Sequence, residues 1–196
     1  MHLLDDLTTR ECRDFAQAWQ DWRGTELIPR RFEVRIEEIV ELLPLMTVME
    51  VISPEAATFR LAGTALSEGL GFELTGHNYF DMAPPDTRAL RVARTWQVAT
   101  QPCGSLFLCS IIYQSGRAVP SEVLTLPIWP NEPSVRPHLF AVSMALEETR
   151  MEGPASEANQ LPIGEGYQFI DIGAGLPDAS LDLADLPPAT LLAQAG

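Results

Sequence analysis

Apolar residues recur at helical spacing along the first stretch of the chain. Between Asp5 and Trp22, Leu7, Phe15, Trp19 and Trp22 lie near a 3.6-residue period, with Arg10, Arg13, Gln17 and Asp21 between them. This predicts an amphipathic helix, stopped by Gly24. Arg30 to Arg35 connects to a second predicted helix, Ile36 to Leu43, which Pro44 ends. The pattern then becomes that of strands. Leu45–Ile52 and Ala57–Ala62 flank Ser53-Pro54-Glu55-Ala56, a good tight connection. A hairpin centred on Glu55 places Glu50 opposite Arg60 as a structural ion pair and turns Phe59 and Leu61 towards a core. Gly63 to Met82, broken by Gly63, Gly69, Gly71 and Gly76, reads as short helical turns and loops.

Pro84-Pro85-Asp86 opens a longer helix to about Thr100. Its apolar side is read as Ala89, Leu90, Ala93 and Trp96, with Arg88, Arg91 and Arg94 elsewhere on the cylinder. Three strands follow, Ser105–Tyr113, Val119–Trp129 and, after a Pro-rich loop, His138–Leu146. Pro127 is expected near a strand end or at a bulge. Two strands, a helical stretch and three strands give an α+β domain: a five-stranded antiparallel sheet with helices on one face. The expected organisation is an N-terminal flanking helix over 1–24, the sheet domain over 25–148 and an extended tail over 149–196. From Met151 onward the chain has seven acids, five prolines and no basic residue. Such a segment buries too little apolar area to fold alone. Its best docking piece is Tyr167-Gln168-Phe169-Ile170-Asp171-Ile172.

Composition narrows the function classes. The formal net charge is −14, and all 13 basic residues are Arg. A surface this acidic argues against nucleic acid and against an anionic membrane as partners. No apolar run approaches the roughly 20 residues of a membrane span. The start, with Asp5 and Asp6, lacks the basic region of a secretion signal. The cytoplasm is the default expectation. Cys12, Cys103 and Cys109 form neither a CxxC pair nor a disulfide framework, and read as buried thiols.

Local motifs add a resemblance. Trp22-Arg23-Gly24, Leu27-Ile28-Pro29-Arg30-Arg31, Ile36-Glu37-Glu38-Ile39 and Leu42-Leu43-Pro44 come in order. They are followed by Phe59-Arg60-Leu61-Ala62-Gly63-Thr64, Gly71-Phe72-Glu73-Leu74-Thr75-Gly76 and Pro120 to Pro127, with Phe169 to Gly175 in the tail. Together they resemble short, stand-alone bacterial PAS-domain proteins. The resemblance implies a PAS fold and a sensing or regulatory role in signal transduction; it implies no ligand.

A PAS sheet curls against its helices and can enclose a pocket. Phe59, Tyr79, Phe80, Trp96, Phe107 and Cys109 could line such a cavity, or simply fill a core, and the filled core is the preferred reading. The resemblance places a haem-ligating His on the long helix, where this chain has none; His77 stands in the loop before it. It places a flavin-reactive Cys in an Asn-Cys-Arg motif, where this chain reads Gly76-His77-Asn78-Tyr79-Phe80. Haem and flavin are therefore disfavoured and the cofactor is undetermined. His2, His77 and His138 have no metal-ligand spacing. Arg88, Arg91 and Arg94 read as an anion site or, preferably, as a solvated face pairing with Asp86 or the tail.

No nucleophile–base pair or phosphate loop stands out, so no catalytic residue is assigned and the chain is read as not an enzyme. The expected function is a PAS-type sensor acting in trans on a protein partner; the alternative is a ligand-free structural adaptor. Phe15, Trp19 and Trp22, with Val48 and Ile52 on the outer sheet, are expected to form an interaction face, preferably a homodimer. Folding of that helix back onto its own sheet is the competing arrangement.

Overall fold

The computed structural model describes residues 6–132, 134, 136–146, 151–152, 161 and 164–178. His2 and the part of the tail beyond 178 lie outside them. The helices are α1 (Arg10–Arg23), α2 (Thr64–Leu70) and α3 (Arg88–Thr100). The strands are β1 (Met46–Ser53), β2 (Ala56–Ala62), β3 (Gly104–Ile112), β4 (Arg117–Ile128), β5 (His138–Ala145), β6 (Met151–Glu152) and β7 (Glu165–Ile170). They form one antiparallel sheet in the order β2-β1-β5-β4-β3-β7, with β6 pairing the start of β4. The fold is α+β, with β7 added beyond the five strands expected.

This order puts β2 at one edge and β3 on the far side of the sheet. The chain between them must cross a whole face. That crossover carries α2, a 3₁₀ turn at Tyr79–Met82 and α3. Strand periodicity then divides the sheet residues between two cores. Met46, Leu106, Leu124, Leu126, Ile128, Phe140 and Val142 face α1. Met49, Val51, Phe59, Ile111 and Leu139 face the crossover helices.

α1 folds back onto its own sheet. Thr9 caps it, accepting from the Cys12 N–H at 3.3 Å. Cys12, Phe15, Ala16, Trp19 and Trp22 make one buried stripe at helical spacing. Trp19 donates its indole N–H to the Pro127 carbonyl at 2.7 Å, and Trp22 donates to Glu38 at 2.8 Å. The three aromatics expected at a dimer face are thus buried in cis, each 3% exposed or less. Burial of a large apolar side chain is worth about 1.5–3 kcal/mol, and the sheet collects it without a second chain. Val48 packs against the same core, while Ile52 remains 48% exposed.

Three local expectations need correction. Ile36 to Leu43 is not an α-helix but two 3₁₀ turns, Ile36–Glu38 and Val40–Leu45, and Pro44 lies inside the second. In the hairpin, Glu50 faces Thr58, because Ser53 pairs with Ala56 in a tighter turn than expected and the register shifts between Val51 and Ser53; a bulge at Arg60 then separates the Val48–Leu61 pair from the Met49–Phe59 pair. The extra residue keeps Phe59 buried but turns Leu61 out to 45% exposure. The bulged Arg60 still reaches Glu50 at 3.7 Å, so the ion pair forms without the register that was to produce it. On α3 the buried side is rotated from the expected one. Ala89 and Leu90 are exposed, whereas Arg91 is buried.

The family-like stretch at Gly63 also has a steric cause. A Cβ there would lie 2.3 Å from the backbone carbonyl of Pro44, which cannot give way. Gly63 instead donates its N–H to Met46 O at 2.7 Å, fixing where the crossover leaves the sheet.

Candidate functional site

Between the crossover and the sheet lies a cavity of about 110 Å³. Its floor follows from the register. Thr47, Ala141, Thr125 and Ser105 stand in one row across β1, β5, β4 and β3, each paired to the next. All four line the cavity. Small side chains in the middle of an otherwise large-residue face leave volume that the helices do not fill. The adjacent row, Ser143–Val123–Phe107, and the pair Met49–Leu139 continue the floor.

The roof comes from the crossover: Leu66 and Leu70 of α2, Leu74, Tyr79, and Arg91, Arg94, Thr95 and Val98 of α3. Asn78 positions Tyr79. Its side-chain oxygen accepts from Ala57 N–H at 3.0 Å and Phe80 N–H at 3.3 Å, and its amide donates to Glu55 O at 2.9 Å. Tyr79 meets Phe59 edge-on at 5.6 Å. Burial raises the Tyr79 phenol above its ordinary value, against the opposing pull of Arg91 and Arg94.

The third wall is the tail. β7 pairs with β3, and Leu161, Gly164 and Tyr167 close the cavity. Tyr167 stacks on Phe107 at 5.7 Å, and burial raises its phenol above the ordinary value. The two arginines fasten this wall. Arg91 donates to the carbonyls of Tyr79, at 3.2 Å, and Leu161, with its guanidinium 4.4 Å from the Tyr79 ring centre. Arg94 donates to Gly164 O at 3.2 Å and lies 4.3 Å from the Tyr167 ring centre. From the outer side Arg23 holds Ile172 O at 2.7 Å. Asp171 then accepts from Gly173 and Gly175 N–H at 2.7 and 3.0 Å, forming the turn after β7.

Of the six residues proposed from sequence as a cavity lining, Phe59, Tyr79, Phe107 and Cys109 line this one. Phe80 and Trp96 do not. Both are fully buried in the core behind it, and Arg136 stacks over Trp96 at 4.8 Å. Arg88 is a surface residue paired with Asp81 at 3.3 Å and not with Asp86, whereas Arg91 and Arg94, expected on the same solvated face, meet the tail at Leu161 and Gly164. Arg91 and Arg94 turn inward. The small floor row was also missed, because lone Thr, Ser and Ala residues carry no signal until the register aligns them.

Cys109 is not poised as a nucleophile: burial pushes its thiol up to about 11 against the opposing pull of Arg91. Cys12 and Cys103 are pushed up to about 12 by burial. His77 is an exposed loop residue whose ring meets Phe72, and its backbone carbonyl accepts from Phe59 N–H at 3.0 Å. His138 opens β5, its imidazole held below its ordinary value by burial. No lining residue is His, and the cavity is smaller than the roughly 300–1,000 Å³ of pockets for drug-sized ligands. No helix among the described residues is long and apolar enough to cross a membrane.

In comparison with protein families, a model described as PAS domain matches residues 7–139. No curated protein and no solved structure matches.

Proposed function

Because the chain belongs to the PAS-domain family, and so to a class of sensory and regulatory modules, we propose that it senses a small ligand bound in the cavity beneath α3. In this reading the module passes the state of the cavity to a protein partner. The observation that carries the proposal is the floor of the cavity. The Thr47–Ala141–Thr125–Ser105 row leaves a space where core packing would favour large apolar side chains. Hydroxyls on that floor, two guanidiniums in the roof and apolar walls give the mixture usual in small-molecule sites. Ile52 and Leu61, each nearly half exposed on the β1–β2 hairpin, support contact with a partner protein.

The cavity proposal is tested by thermal melting across a panel of small metabolites. At least one compound should raise the melting temperature of the wild-type chain and leave Ala141→Phe unmoved, since a phenyl ring in the middle of the floor fills the space. Equal shifts in both proteins, or none in either, would count against a ligand in this cavity.

A further inference from the structure

Resting on that reading, we infer that the ligand is a small carboxylate with a short aliphatic body, its charge held by Arg94. Size sets the first limit. A cavity of about 110 Å³ is below the roughly 150 Å³ of an apolar protein cavity that takes up benzene, so the occupant has few non-hydrogen atoms. The walls set the second. Met49, Phe59, Leu66, Leu74, Ile111 and Leu139 offer an apolar body no polar partner.

The charge follows from α3. Arg91 and Arg94 are three residues apart, hence neighbours on one side of the helix, and both line the cavity. A guanidinium carries five N–H donors in a planar fork suited to a carboxylate. Among the described residues Arg94 makes a single hydrogen bond, to Gly164 O, and no ion pair. A partly buried cation facing apolar walls gains most from an anion brought within reach. The Tyr79 phenol lines the same cavity, is protonated at neutral pH as any phenol is, and makes no hydrogen bond among the described residues. It can donate to the same carboxylate. A cationic ligand would meet two guanidiniums, and a neutral one would leave Arg94 without an anion.

The test is calorimetric titration with propionate and butyrate, each beside its neutral amide, propionamide or butyramide. At least one acid should bind the wild-type chain about tenfold or more tightly than its amide, the scale expected of a charge-assisted pair. Arg94→Gln should remove that preference, so that acid and amide bind alike, and Arg94→Lys should restore part of it. Equal binding of acid and amide to the wild-type chain overturns the carboxylate while leaving a ligand cavity in place. A preference that survives Arg94→Gln overturns the assignment of the charge to Arg94. Failure of both acids, alongside a neutral or cationic compound that stabilises the wild type but not Ala141→Phe, also overturns the carboxylate. If nothing binds in either experiment, the cavity reading fails with it.

Discussion

Glu122 is a buried carboxylate, 1% exposed, and it ties the start of α1 to the centre of the sheet. It accepts from the Thr8 and Thr9 N–H groups at 2.7 and 2.8 Å and from the Thr9 hydroxyl at 2.6 Å. Burial alone would raise its pKa, but these donors outweigh burial and hold it below the ordinary value of 4.5. A folded-state value below the unfolded one stabilises the fold fully above the unfolded pKa and loses that contribution as pH falls through the folded one. Glu122→Gln should therefore cost about 1–3 kcal/mol at pH 7, because the amide nitrogen would face N–H donors. The cost should shrink as the wild type is acidified below about pH 4, read by denaturant melts across pH. A penalty that stays constant from pH 7 to pH 3 would contradict a charged Glu122. Little of this was legible in the sequence, where Glu122 reads as one more acid in an acidic chain. The Glu50–Arg60 pair was legible as chemistry and misread as geometry, since Arg60 reaches Glu50 from two residues beyond Thr58, the partner of Glu50, and not from directly opposite. At 39% and 61% exposure that pair is worth at most about 1 kcal/mol.

Among the elements, strands were legible where apolar and polar positions alternate, and β1 to β5 fall within two residues of their expected bounds. The Ile36–Leu45 stretch was not, because Ile36, Ile39 and Leu43 have helical spacing but the segment is held by short 3₁₀ bonds. The face of α3 was misjudged for a different reason. Hydrophobicity counts Arg as polar, whereas backbone carbonyls and aromatic rings satisfy Arg91 inside the protein. β7 is the element most open to perturbation, since it is an edge strand closing the cavity. A Cβ on Gly164 would lie 2.1 Å from the Phe107 ring, which would have to turn and break its stack with Tyr167. Gly164→Ala should cost about 1–3 kcal/mol and raise amide exchange over Glu165–Ile170 while leaving α1 protected. Unchanged exchange in β7 would show that Phe107 accommodates the methyl and that the tail is held elsewhere.

At the scale of the whole molecule, one sheet separates two tasks. The face covered by α1 is a dense core holding Phe15, Trp19 and Trp22. The other face keeps a small cavity under a crossover that carries two arginines and beneath a tail strand fastened by them. The family and the two-strand, helix, three-strand order could be read from the sequence; the cavity could not, because it depends on which small residues the register aligns. The central claim is that this cavity holds a small molecule. It is tested most directly by native mass spectrometry of the chain purified gently from its own host, beside Ala141→Phe prepared in the same way. The account predicts that the wild type retains the added mass of a small acid and that the filled variant runs at its bare mass. Bare mass for both proteins, or the same added mass on both, would contradict it.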